Sequence, residues 1–304
     1  MPFEVTILGN NSAIPAHGRH PTSQIVQIHE QQFLVDCGEG TQMQLAKYKI
    51  RKSKFDHIFI SHLHGDHYFG LIGLITSYHL MRREKPLHVY GPKGLLDIIN
   101  LQLAVSNTTL FYQLIFHEVI SEVVSVLLET DEFIISSFPV KHRIPTHGFL
   151  FKEKIGLRKI NPDKIAELNF PFQVIAELKK GNDSEWEGKI LKSNEWTLPP
   201  VAPRSYAFCA DTIYHNELIK YISGCDVIYH EATFMEESAE RAVLTFHSTA
   251  KQAATIGKAI GVKKLLLGHF SAKYDNLQPL LAEAKEIFSE TELAIEGQTF
   301  SIER

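Results

Sequence analysis

Apolar and polar positions change period several times along the chain. Phe3 to Leu8 alternates with period two, and Ile25 to Ile28 and Phe33 to Val35 flank a short polar turn, which predicts a strand and then a hairpin. Gly38 and Gly40 open a predicted helix over 41–48. Phe55 to Ile60 is a compact apolar run stopping at Ser61, and from Phe69 to Met81 apolar residues fall at 69, 71, 72, 74, 75, 78 and 80, a helical spacing. Leu87 to Tyr90 reads as a strand, Gly91-Pro92 begins a helix through Leu103, and several short strands follow between Leu114 and Val140. Beyond residue 200 the pattern is regular again. Strands at 206–210, 226–230 and 264–268 are each followed by a helix, at 217–222, 249–260 and 277–288. Between the two halves, residues 151–197 are rich in Gly, Pro, Asn and Lys and lose periodicity, which predicts an inserted arm. Two halves of strands followed by helices, flanking one insertion, fit an α/β four-layer αββα sandwich spanning 1–304, or two separate domains.

Composition narrows the class. A chain of 304 residues, 44% hydrophobic and 22% charged, can bury a large core, which excludes disorder, collagen and coiled coil. Lys and Arg number 31 against 35 Asp and Glu, a formal charge of -4, so the chain as a whole carries no electrostatic footprint for nucleic acid. Its three cysteines form no CxxC pair, which argues against a disulfide framework or a cysteine-held zinc and for a reducing compartment. The start MPFEVTILGN lacks the pattern of a signal peptide, and no apolar run approaches the roughly 18 residues that span a bilayer. A cytoplasmic protein without a membrane segment is expected. The unusual number is 16 histidines.

Four ligand-type residues are packed together as His62, His64, Asp66 and His67, between a predicted strand end and a helix. Imidazole nitrogen and carboxylate oxygen are good ligands for Zn²⁺ and similar ions, and Gly65 gives the loop room to turn. Positions 62 and 64 face one way and 66 and 67 another, which suits two metals. Two metals need more than four ligands. His142, Asp211 and His269 each follow a predicted strand, where a rigid sheet presents a side chain. Singly each is an ordinary strand-end polar residue; beside the 62–67 cluster they gain weight as a set.

The H-x-H-x-D-H cluster resembles the signature of the metallo-β-lactamase fold. Four further segments, Val35-Asp36-Cys37-Gly38-Glu39-Gly40-Thr41-Gln42, Ala210-Asp211-Thr212, His230-Glu231-Ala232-Thr233 and His247-Ser248-Thr249, are similar to the short form of the ribonuclease Z (tRNase Z) family, over essentially the whole chain. The resemblance implies a zinc-dependent endoribonuclease that removes the 3′ trailer of precursor tRNA, leaving a 3′-hydroxyl on the tRNA and a 5′-phosphate on the trailer. It implies one Zn²⁺ on His62, His64 and His142 and a second on Asp66, His67 and His269, bridged by Asp211, with Mn²⁺ or another divalent ion as a substitute. It gives Asp66 the role of proton acceptor and His247, oriented by Glu231, that of proton donor to the leaving oxygen. His230 has no assigned role.

The same resemblance makes 151–197 a flexible arm that clasps tRNA, with Lys152, Lys154, Arg158 and Lys159 as candidate phosphate contacts. Family arms often carry a Gly-Pro pair where this chain has Asn169-Phe170-Pro171-Phe172. Arg19, in the loop Pro15 to His20, matches a position that reads the end of the acceptor stem, and His17 and His20 replace a Lys and an Asn there. A second basic stretch, Lys47 to Lys54, either steers RNA or is a solvated loop. A homodimer is implied, with the apolar helix over 71–80 serving either its interface or the core. The competing readings are a phosphodiesterase on small diesters, a thioester or lactone hydrolase of the same fold, and a non-enzymatic RNA-binding subunit.

Overall fold

The computed structural model describes residues 1–167 and 169–304. Runs that are apolar at every position, such as Phe33-Leu34-Val35 and Leu265-Leu266-Leu267, call for strands covered on both faces, and period two then sends neighbours into different layers. Phe33, Val35 and Leu266 lie between the two sheets. Leu34 faces helices of the first half, and Leu265 and Leu267 face helices of the second. Three apolar layers separated by two sheets make the αββα sandwich.

The N-terminal sheet has the order Thr299–Ser301, Phe3–Gly9, Ser23–Ile28, Gln31–Cys37, Phe55–Phe59, Leu87–Gly91, Leu114–Glu118. The C-terminal sheet runs Thr291–Leu293, Lys264–Gly268, Val227–Glu231, Ser205–Cys209, His147–Glu153, Phe133–Pro139, Ser125–Glu129. Each sheet is antiparallel in one part and parallel in the other. The last strand, Thr299–Ser301, pairs with Phe3–Gly9, so the end of the chain closes the first half. Between the sheets Phe59 stacks on Tyr90 at 4.6 Å and meets Phe149 at 5.4 Å. Removing such a ring costs about 3–5 kcal/mol, a large share of the roughly 5–15 kcal/mol that holds a domain folded, so the strand ends carrying the histidines stand on a stiff support.

The predicted helix over 69–81 is Leu71–Leu80, and a separate helical turn, Gly65–Tyr68, precedes it. Asp66 and His67 therefore sit on a helical turn rather than a loop. A Cβ at position 65 would collide with the exposed Phe69 ring, so a larger residue there needs that ring to move.

The insertion differs from the sequence expectation in extent and order. Residues 151–153 belong to the strand His147–Glu153, with Phe151 wholly buried, and the chain re-enters the sheet at Ser205, so the inserted part is 154–204. It has its own small fold: Lys159–Ile160 pairs with Thr197–Leu198, Phe172–Lys180 is a helix, and Ser184–Trp186 and Lys189–Leu191 form a hairpin. Leu178 and Leu191 are buried under it, and Phe170 packs edge-on against Trp196 at 4.7 Å. So few core positions in fifty residues leave little periodicity to detect. Its two ends are tied together, since Arg204 donates to the Glu153 carboxylate from Nη2 (2.6 Å) and Nε (3.1 Å), and Glu153 N–H donates to the Arg204 carbonyl.

Candidate metal centre

The strands Phe55–Phe59, Ser205–Cys209 and Lys264–Gly268 run parallel to neighbours in their sheets and end on the same side of the sandwich, where ligands gather in α/β folds. His62 and His64 follow the first, Asp211 the second and His269 the third; His142 follows Phe133–Pro139. All seven predicted ligands meet there. Donor atoms of His62, His64, His142 and Asp211 lie within 4.8 Å of one another, as do those of Asp66, His67 and His269. In the first group His62 Nε2 is 3.0 Å from His64 Nδ1, which is 3.2 Å from His142 Nε2. In the second, His269 Nε2 is 3.4 Å from His67 Nε2 and 3.3 Å from Asp66 Oδ2. Asp211 stands between the groups, its Oδ2 3.6 Å from His62 Nε2 and its Oδ1 3.4 and 3.2 Å from His67 and His269 Nε2.

The outer hydrogen bonds assign the ring protons. His142 Nδ1 donates to the Phe246 carbonyl (2.8 Å), and His67 Nδ1 donates to Asp36 Oδ2 (2.7 Å). Ser61 Oγ donates to Asp36 and accepts from His62 Nδ1 (3.0 Å), and Thr233 Oγ1 donates to Glu231 and accepts from His269 Nδ1 (2.9 Å). With Nδ1 so engaged, the neutral form of each of these four rings would turn a bare Nε2 lone pair toward the centre. Lone pairs facing each other at such distances repel, and Asp211 Oδ1 is buried with no hydrogen-bond partner among the described residues. A cation resolves both problems. Bonds of about 2.0–2.1 Å in a tetrahedral zinc site put donors roughly 3.3–3.4 Å apart, which the spacing here matches.

Electrostatics point the same way. Burial pushes His62 well below the ordinary imidazole range and His142 down to about 4, the neutral form that a metal needs. For His67, burial is outweighed by the charges of Asp211, Asp66 and Asp36, which pull its pKa well up. A proton held there by three carboxylates marks a place that a metal ion fills better. Left-handed backbone occurs here too: Asp36 (φ 54°), Phe246 (φ 58°) and His269 (φ 57°) are left-handed without being glycine.

Glu231 and His247 form a second, adjoining unit. The Glu231 carboxylate is wholly buried and accepts from Thr212 N–H (3.1 Å), Thr233 N–H (3.1 Å), Thr233 Oγ1 (2.7 Å) and His247 Nδ1 (2.8 Å). Burial alone would lower the His247 pKa, but the Glu231 charge and hydrogen bond push it up to about 9. Its ring stacks on His269 at 5.3 Å, and a ring nitrogen lies within 4.8 Å of donors on Asp211 and His269. A protonated imidazole held by a carboxylate is a proton donor rather than a ligand. His230 is buried, with Nδ1 donating to the Glu231 carbonyl, and is absent from the ligand groups.

Asp36 and Thr233 stand in segments that carried the resemblance but were given no role, and Ser61 and the Phe246 carbonyl were not singled out, although together they fix four ligand rings. The helix Ala250–Ile260 begins with a capping box of Thr249 and Gln252, and Ser248 Oγ donates to the Thr212 carbonyl.

The candidate RNA contacts lie away from the centre or are engaged. Arg19 donates to Asn11 Oδ1 and to the carbonyls of Asp275 and Tyr274, bracing its loop. Lys152 is exposed at the sheet end opposite the centre, paired in register with Ser205. Lys154 pairs with Glu129 at 2.6 Å, and Arg158 donates to Thr197 inside the insertion. Lys159 is exposed. The basic stretch from Lys47 precedes Phe55–Phe59 and so also lies at the remote end. Leu71, Leu74, Ile75 and Tyr78 of the apolar helix pack into the core, leaving Leu80 and Met81 at its exposed end.

Residues 3–157 match the family model described as Anti-Pycsar protein Apyc1. A ribonuclease Z of Bacteroides fragilis is 43% identical over 301 residues, covering 99% of each chain. One of Cytophaga hutchinsonii is 43% identical over 304 residues, covering 99% of this chain and 97% of that one. The crystal structure of the short form of human tRNase Z superposes with a TM-score of 0.72 at 26% identity, covering 99% of this chain and 100% of the other.

Proposed function

The chain belongs to the ribonuclease Z family of metal-dependent tRNA 3′-processing endoribonucleases, and from that premise we propose the metals, residue roles and assembly with which it removes the trailer. His62, His64 and His142 would hold one Zn²⁺ and Asp66, His67 and His269 a second, with Asp211 close to both groups. The observation that carries this reading is the ring of bare donors, three to four ångströms apart, beside a protonated His247. When bound, such ions supply Lewis acidity to a phosphate and lower the pKa of water.

The chain's own residues do the rest. Asp66, whose Oδ2 accepts from Ala13 N–H at 2.7 Å, would take a proton from the attacking water, the role that the family resemblance gives it. His247 delivers its proton to the departing 3′ oxygen, and Glu231 holds that ring's orientation and charge. Cleavage that depends on protonated His247 falls as pH rises through its pKa. Glu231→Gln removes the charge that raises this pKa, so the alkaline limb of the kcat–pH profile is expected to move to lower pH; an unmoved limb would detach Glu231 from proton transfer.

The insertion is read as the tRNA-binding arm. Glu153 and Arg204 are hydrogen-bonded neighbours, so a short turn can replace residues 156–202 without pulling the sheet apart. The shortened protein is expected to lose precursor-tRNA cleavage by about 100-fold or more in kcat/KM while hydrolysing bis(p-nitrophenyl) phosphate within about threefold of the full chain. Equal losses on both substrates would make the insertion a stabilising element instead. A homodimer working in the cytoplasm completes the proposal; no helix among the described residues is long and apolar enough to cross a membrane.

A further inference from the structure

A cleft of about 460 Å³ opens beside the candidate centre. Its walls include Leu63, which lies in sequence between the donors His62 and His64, and Ile144, two residues beyond His142. Pro92 and Val119, both buried, close it from the ends of the strands Leu87–Gly91 and Leu114–Glu118. Lys93, Ser121 and the carboxylates of Glu118 and Glu122 also line it, and none of the four has a hydrogen-bonded or ionic side-chain partner among the described residues. Apolar walls edged by one cation and several acceptors fit a flat ring that carries amino and keto groups. They do not fit a purely apolar or a purely anionic ligand.

The cleft and His247 belong to different halves of the sandwich. His247 lies between the C-terminal-half strand Val227–Glu231 and the helix Ala250–Ile260, whereas all the cleft residues except Ile144 and Pro145 come from the N-terminal half. The 3′ oxygen departs toward His247 while the phosphate stays joined to the 5′ oxygen of the trailer, so the trailer is the part of the substrate left to run over the N-terminal half. We propose that this cleft binds the nucleobase of the first trailer nucleotide, making it a subsite for a nucleoside 5′-phosphate and a determinant of which trailers are cut fastest. This rests on the endoribonuclease reading, in which the trailer keeps the phosphate. Glu118 and Glu122 then accept from ring or exocyclic N–H groups, as carboxylates do on cytosine N4, and Lys93 meets a keto oxygen or the next phosphate.

The test is direct binding to the zinc-loaded full chain by calorimetry, with inorganic phosphate, the four nucleoside 5′-monophosphates and the four 3′-monophosphates as probes. At least one 5′-monophosphate is expected to bind about tenfold or more tighter than inorganic phosphate, the scale of one base against a protein surface, and tighter than its 3′ isomer. Ser121→Trp, which fills the cleft, is expected to remove that advantage, with zinc content and the circular dichroism spectrum reporting that the variant is folded. The proposal is overturned if 5′-monophosphates bind no better than phosphate, or if the 3′ isomers bind better, which would give the cleft to the tRNA side. The wild-type comparison decides between these outcomes even if the variant fails to fold. Cleavage of precursor tRNA, assayed separately, tests the reading on which the proposal rests, so the two failures are told apart.

Discussion

Asp211→Ala is expected to leave the purified protein with fewer than two metal ions per chain and to reduce precursor-tRNA cleavage by far more than any change outside the ligand set. Among the described residues Asp211 is the carboxylate that reaches both donor groups, with Oδ1 at 3.2 Å from His269 and Oδ2 at 3.6 Å from His62. Under the proposed two-metal reading its loss would take a donor from each ion and a negative charge from between them. Outer partners of ligands cost about 10–100-fold when removed; Asp36→Ala, which frees His67 to rotate, belongs in that range, and Asp211→Ala well beyond it. Metal analysis alongside single-turnover cleavage makes the comparison. A variant that keeps two ions, or that loses no more activity than Asp36→Ala, would remove Asp211 from its assigned place.

His247→Ala should behave in the opposite way toward metal. The ring is held by Glu231 at 2.8 Å with its pKa raised to about 9, so it is charged at neutral pH and poorly suited to ligation. Its removal is expected to leave the metal content unchanged, slow kcat by about 10² to 10⁴, the range for a lost general acid, and leave KM within a few-fold. The alkaline limb of the pH profile should go with it. Loss of an ion in this variant would instead place His247 among the ligands, a grouping that its nearness to Asp211 and His269 makes a fair rival.

Much of the centre was legible in the sequence because its ligands stand at strand ends, and strand ends follow from apolar runs. His62 to His67, His142, Asp211 and His269 all follow runs that the pattern marked, and the structure brings their donor atoms together. What orients those donors was not legible. Thr233 and the Phe246 carbonyl act through bonds to residues 36 and 104 positions away, and such pairings exist only once the sheets are packed. The pairing of Thr299–Ser301 with Phe3–Gly9 was missed for the same reason: a three-residue strand carries no period of its own. The insertion looked irregular since its core rests on a few side chains such as Leu178, Leu191 and Trp196. Lys152 to Lys159 looked like one basic face, yet the strand ends within that span and two of the four cations are bound to neighbours.

The central claim is a metal-dependent cut at one phosphodiester on the 3′ side of tRNA. Purified protein incubated with 3′-extended precursor tRNAs, with and without an encoded CCA, and with the ends of both products mapped, tests it most directly. The account predicts a zinc-dependent release of a trailer with a 5′-phosphate and of a tRNA with a 3′-hydroxyl, abolished by chelation and restored by added metal. A trailer bearing a 5′-hydroxyl, or cleavage that survives complete removal of metal, would contradict it.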